Sequence, residues 1–319
     1  MATAGEATEG RPHAFAVSVQ PSAGFLRRRR LVGGLVRLGL FAAASLSVFV
    51  TAGIVYILVS ESLVFFSHVS LLEFLTDTQW TPLFTNAQYG ILPLLSGTIV
   101  VAGIALLVAI PAGTMLAIYL SEYAPAAMRE TIKPLLELLA GVPTVVYGYF
   151  ALLFVTPLLQ RWFLPELPGF NVLSPGTVIG IMIIPYVSSV SEDAMRAVPM
   201  ELREAAFATG ATRLQVATRV VLPAALSGVA AAFALGFSRA VGETMVVAIA
   251  AGQQPNLTLD PREPAATITA YIVQVALGDL PHGSIGYLSI FAAGLTLMLL
   301  TLVFNVAAYV LRRRYREAY

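Results

Sequence analysis

Residues 191–225 read SEDAMRAVPMELREAAFATGATRLQVATRVVLPAA, a polar stretch set between two apolar runs. Pro199 suits the first turn of a helix, where its missing amide would have no partner. Leu202, Ala205, Ala206 and Thr209 follow along one side of that helix. Gly210 supplies a left-handed stop. Thr212 and Gln215 form a capping-box pair that opens a second short helix, which Pro223 ends. The stretch therefore predicts two short helices with a tight turn, projecting from whatever holds the flanking apolar runs. Ala205 and Ala206 leave no bulk, so another protein's surface can approach the first helix closely. The plainer alternative is an amphipathic connector lying on a bilayer surface. A narrow apolar face with no Trp and one Phe, Phe207, argues against it.

The flanking runs are typical of the whole chain. Of 319 residues, 57% are hydrophobic and 12% charged, against about 25% charged in soluble domains. Mean hydropathy is +0.80. Too little polar surface exists to cover a water-soluble enzyme of this length. The absence of cysteine excludes a disulfide scaffold, thiolate metal sites and cysteine nucleophiles, and three histidines leave little for imidazole chemistry. No G-x-x-x-x-G-K-[ST] loop is present to bind a nucleoside triphosphate.

A bilayer core about 30 Å thick takes roughly 20 apolar helical residues per crossing. Six stretches qualify, at approximately 35–59, 92–120, 134–159, 172–190, 225–250 and 285–311. The reading is an all-α integral membrane protein of six transmembrane helices. Pro111 and Pro185 lie within the second and fourth, and the first is a retained span, too long for a signal-peptide core. With the amino terminus inside, 16 of the 19 Lys and Arg face the cytoplasm, Arg161 and Arg262 face outward, and Arg239 lies within a span. This places both termini in the cytoplasm. A net charge of +1 conceals that asymmetry and gives no reason to expect nucleic acid. Residues 1–30 read as a disordered basic cytoplasmic tail and 31–319 as one transmembrane domain, with the projecting loop at about 191–224. Trp80 and Trp162, both in external loops, read as interfacial anchors.

Two spans carry charge or loosened backbone. In the fifth, Gly228, Ala232 and Gly236 repeat a small residue every four, which lets a neighbouring helix approach. Arg239 and Glu243 follow at i, i+4 near mid-span, where each charge costs about 2.5–3.5 kcal/mol on insertion scales. One account is an ion pair within the helix that locks packing. The other is that Arg239 meets an anionic substrate with its forked donors while Glu243 holds it in place. The third span opens with Lys133 and Glu137, again i, i+4, at its cytoplasmic end, where snorkelling is the ordinary explanation. Gly141 and Pro143 should loosen the helix and free a carbonyl for Thr144 or water, and Tyr147 adds a hydroxyl near mid-membrane. That segment is either path lining or a packing kink.

Glu204-Ala205-Ala206, three residues, Gly210, nine residues and Val220-Val221-Leu222-Pro223 resemble the EAA loop of ABC-importer permeases, E-A-A-x3-G-x9-I-x-L-P, with Val at the Ile position. The resemblance implies type I importer architecture, in which this loop (Glu204, Ala205, Ala206, Gly210, Leu222, Pro223) docks into an ATPase subunit and transmits its closure. GVPTVVYG at 141–148, SRAVGETM at 238–245, LPLLSGT at 92–98 and TLDPREPAATITAYI at 258–272 resemble phosphate-import permeases of the PstC type. Thr144 departs from the more usual Ser. This resemblance covers about 35–311 and implies a place in the plasma membrane of a bacterium, with a second, PstA-like permease, a PstB-like ATPase dimer that binds ATP and Mg, and an external PstS-like phosphate-binding protein. The chain itself would carry no cofactor and no catalytic or metal site. Glu137, Thr144, Tyr147, Arg239 and Glu243 are the candidate translocation path. A permease for molybdate or an amino acid remains an alternative that shares the loop. A secondary anion transporter is another, although no internal repeat is evident.

Overall fold

A computed structural model of the protein describes residues 23–314. Residues 1–22, most of the expected tail, lie outside the described residues, as do 315–319. The described residues fall into two units divided after Tyr56. In the first, helix α1 (Ala23–Phe66) already runs through the arginine cluster that the sequence reading gave to the tail, and almost every side chain of 31–56 is exposed. Such an apolar, exposed helix is what a span in contact with lipid looks like.

The second unit is built on two long helices, α3 (Leu92–Ile118) and α7 (Leu173–Arg196). Small residues let them touch: a methyl added to Gly176, Gly180 or Gly113 would come within 2.9 Å of Ile104, 2.7 Å of Val108 or 2.8 Å of Val187. The paired positions advance together, so the two helices are parallel. Both stay continuous through their prolines, Pro111 and Pro185. The fourth span is longer than the expected 172–190, because SEDAMR completes α7 and the projecting segment begins at 197 instead of 191. Helix α11 (Leu226–Val241) runs antiparallel to α7, with Gly228 against Ala194 and Gly236 against Val187 and Ile183, as its small-residue repeat predicts. Helix α14 (Ile285–Arg314) completes the long elements.

Two expected spans are not single helices. The third divides into α4 (Ala126–Ala140) and a second arm of α5 (Thr144–Phe150), a π turn at Ala151–Val155 and α6 (Thr156–Trp162). The arms meet at 84° across Gly141-Val142-Pro143, so those residues break the helix outright. The fifth is interrupted at Gly242–Thr244, after which α12 (Met245–Ala250) continues. Helix α11 is also bent by 75° at Ala225 from the helical run Arg213–Ala224 before it, so the described residues hold four continuous helices long and apolar enough to cross a bilayer and two bent pairs, or six crossings if each bent pair counts once.

The two ends of α7 differ in chemistry. At the end where the parallel α3 begins, the ring of Trp80 meets Phe74, Tyr89 and Tyr271 edge-on, with centroids 6.2, 6.0 and 5.0 Å away. Trp80 is 2% exposed, so it is a core residue and not the expected interfacial anchor; Trp162 is exposed. Also at this end, the backbone amide and guanidinium of Arg262 grip Asp260 and hold its carboxyl down at about 2. The far end of α7 is ionic, and the projecting segment leaves from it.

Candidate functional site

The projecting segment folds as its sequence predicts except at Pro223, which lies within helical backbone that runs on to Ala224 instead of ending the second helix. Helix α8 (Met200–Ala208) starts after Pro199 and ends before Gly210, whose φ is +84°. Helix α9 (Arg213–Val216) opens with the capping box of Thr212 and Gln215 and passes through a π turn (Ala217–Val221) into α10 (Leu222–Ala224). Leu202 and Ala206 pack inward against a core of Ala117, Met195, Val198 and Val216, whereas Glu204 and Ala205 are exposed. A surface carrying Glu204 and Ala205 is left free for another protein. Leu222 packs on the same core.

Arg239 lies in the last turn of α11, and its guanidinium carbon stands 4.5 Å from the ring centroid of Tyr186 on α7. Its Nε is buried without a hydrogen-bond partner. Tyr186 lies between Leu173 and Arg196, about 20 Å along the helix from one end and about 15 Å from the other at about 1.5 Å per residue. Arg239 therefore sits near the middle of the helical layer. Glu243 falls beyond the end of α11, so it does not share a helix with Arg239, and no ion pair joins them. Instead its carboxylate, in a residue 8% exposed, accepts the amide of Val246 at 3.4 Å, and its carbonyl accepts the Thr269 hydroxyl at 2.7 Å. The Gly242–Thr244 break separates two charges that an unbroken helix would have set on one face.

The Tyr147 hydroxyl donates to the carbonyl of Leu139 at 2.7 Å, satisfying the end of α4 across the break. Tyr147, not Thr144, is the side chain that reaches this carbonyl, which also accepts the Val142 amide at 3.3 Å. Gly148 packs against Met245 and Ile249, which brings α5 onto α12. Glu137 is exposed and Thr144 half-buried, and no hydrogen bond or ion pair joins either of them, or Tyr147, to Arg239 or Glu243.

Three residues that hydropathy does not single out complete the picture. Tyr186, read as one more apolar position, is the platform for Arg239. Glu192 is fully buried at the end of α7, with Lys133 Nζ at 2.6 Å, Arg196 at 3.5 Å and Arg129 at 3.7 Å. Lys133 also holds Asp193 at 2.8 Å, so its partners lie on α7 and not at Glu137. Arg203 of α8 is paired with Glu122. Glu192 and Arg203 are visible in the sequence as charges, but Lys133 lies 59 positions from Glu192 and Glu122 lies 81 from Arg203; Tyr186 gives no signal of its own.

A family described as binding-protein-dependent transport system inner membrane component matches residues 109–317. Among curated relatives, the probable ABC transporter permease protein YqgH of Bacillus subtilis is 35% identical over 236 residues, covering 74% of this chain and 76% of that one. The phosphate transport system permease protein PstC of Mesorhizobium japonicum is 34% identical over 263 residues, covering 76% and 78%. A solved bacterial ABC transporter involved in the import of the polysaccharide alginate superposes with a TM-score of 0.62 over 90% of this chain and all of its own, at 20% identity, a likeness of fold. The secondary-transporter alternative falls with these matches. This multi-pass inner-membrane chain, its projecting segment and broken spans included, belongs to the family of binding-protein-dependent transport system inner membrane components, the permease subunits of ABC importers.

Proposed function

We propose that this chain is a PstC-type permease subunit that moves inorganic phosphate inward by alternating access, powered by ATP hydrolysis on separate subunits. Relatives named as phosphate permeases align over about three quarters of the chain and support this substrate. The observation that carries it is Arg239, a cation near mid-layer whose Nε has no protein partner. Arginine stays ionised at any cellular pH and offers forked donors that match phosphate oxygens. An ion leaving water needs such a partner at that depth.

The arrangement of charge supports an orientation. Lys133, Arg129, Arg196, Arg203 and Arg213 gather at the α8 end, which favours a cytoplasmic position for that end, and the arginine runs at 27–30 and 312–314 in the sequence favour the same side for both termini. Glu204, Ala205, Ala206 and Gly210 then meet a PstB-like ATPase dimer, which binds ATP and Mg. A PstA-like permease completes the membrane pair, and a PstS-like binding protein docks outside. The opposite end of α7 offers a cavity of about 440 Å³ between residues 163–168 and Asp260, Arg262 and Glu263 as part of that outer face.

The test is uptake of radiolabelled phosphate in cells lacking other phosphate importers. Arg239→Gln should abolish uptake while the chain reaches the membrane at its normal level. Arg239→Lys should keep part of it, since the charge remains and the fork is lost. Wild-type uptake by Arg239→Gln would remove Arg239 from the path.

A further inference from the structure

Arg203 stands immediately before Glu204, on the inward side of α8, and its guanidinium joins three elements. Its Nε and Nη2 donate to the two carboxylate oxygens of Glu122, at 3.3 and 3.0 Å, in the π turn (Tyr119–Tyr123) that ends α3. Nη1 donates to the carbonyl of Val198 at 2.6 Å, and Nη2 also donates to the carbonyl of Met195 at 2.8 Å, in the last turn of α7. The two side chains are 11% and 10% exposed, so solvent screens the pair only weakly. Beside this pair, α8 makes apolar contacts: Leu202 and Ala206 rest on the cluster of Ala117, Met195 and Val198. Apolar contacts slide, because dispersion and burial have no direction. A bidentate Arg–carboxylate pair resists sliding and rotation, because both bonds must keep their geometry.

We propose that Arg203, held by Glu122, is the positioning residue that makes α8 move as one body with the ends of α3 and α7. The inference rests on the coupling role proposed above for the segment. A helix that shifts when an ATPase subunit closes on Glu204 and Ala205 drives the membrane layer only if it cannot slip over its apolar seat. Arg203 faces away from the exposed docking surface, so its work is done behind the contact. Helices α3 and α7 are parallel and close-packed along their length, so a displacement at their shared end is carried toward Tyr186 and Arg239. The pair is hard to see in the sequence because 81 positions separate its members.

The experiment compares wild type with Arg203→Gln, Arg203→Lys and Glu122→Gln in the complete transporter, reconstituted in liposomes with its ATPase subunits and binding protein. Phosphate moved and ATP hydrolysed are measured in the same vesicles, and co-purification of the ATPase subunits is scored separately. All three variants should keep the ATPase subunits, because the docking face is untouched. Arg203→Gln and Glu122→Gln should hydrolyse ATP at an undiminished rate while phosphate moved per ATP falls about tenfold, within the usual range of coupling between sites. Arg203→Lys should fall less, since it keeps the charge without the fork. If Arg203→Gln does not assemble, Glu122→Gln decides, because it leaves the bonds to Met195 and Val198 in place. A wild-type ratio of phosphate to ATP in the assembled variants, with both rates lowered together, would reduce the pair to a stability contact and overturn the proposal. Failure of the wild-type chain to retain ATPase subunits would instead overturn the coupling role of the segment, which is a separate result.

Discussion

At the scale of single residues, Arg239 and Tyr186 show how a cation is kept at mid-layer without a counter-charge. The face of a phenol ring carries negative potential, and a guanidinium 4.5 Å above it recovers about 0.5–2 kcal/mol of what leaving water costs. A carboxylate in the same place would hold the arginine far more tightly and compete with an arriving anion. A ring takes only the face of the guanidinium and leaves its N–H edge free for an anion, so the contact persists when one is bound. Tyr186→Leu removes the platform and should raise the half-saturating phosphate concentration for uptake from about twofold to about thirtyfold, the equivalent of that energy. Tyr186→Phe keeps the ring and should transport nearly as wild type. An unchanged half-saturating concentration in Tyr186→Leu would show that the contact does nothing for Arg239. The sequence made Arg239 and Glu243 conspicuous as charges, but their assumed i, i+4 relation depended on an unbroken helix, and Gly242 denies it.

At the scale of elements, legibility followed how local the signal was. The turn at Gly210, the capping box of Thr212 and Gln215 and the small-residue face of α11 rest on contacts within a few positions, and each is where the sequence places it. The breaks are another matter. Gly141 and Pro143 announce a weak point, yet an 84° turn is stabilised by what the second arm finds, the seat of Gly148 against Met245 and Ile249. Hydropathy averages across such a turn and reports one span. Tyr147 belongs to the same account, because its hydroxyl satisfies the Leu139 carbonyl where the helical ladder stops. Tyr147→Phe should therefore cost about 0.5–1.5 kcal/mol of stability, the net value of one hydrogen bond. It should be read as a lowered thermal midpoint in detergent, with phosphate uptake retained. Uptake lost at an unchanged midpoint would return the hydroxyl to the translocation path.

Across the second unit, different forces act at its two ends: edge-on aromatic packing around Trp80 beside the start of α3, and buried ion pairs around Glu192 at the end of α7. The sequence count gathers cations at the ionic end but cannot say that they converge on one carboxylate, since α4 and α7 must first fold together. Glu192 has no exposed surface and three cations within 4 Å, while Lys133 alone also reaches Asp193. Removing Lys133 should cost more than the contact itself is worth, because it leaves a buried carboxylate with its two remaining partners at 3.5 and 3.7 Å. Full loss of a buried partner costs about 3–5 kcal/mol, and the 26% exposure of Lys133 together with the two arginines should bring Lys133→Met below that range. Replacing both members, in Lys133→Met with Glu192→Met, should recover most of the loss. Arg129 keeps its bonds to the carbonyls of Leu120 and Ala124, Arg196 is half in water, and a methionine pair fills the vacated space. Thermal midpoints of the single and double variants measure this directly. A double variant no more stable than Lys133→Met alone would mean that the cations depend on Glu192 as much as it depends on them, and that this end of the molecule is a network in which no pair can be exchanged separately.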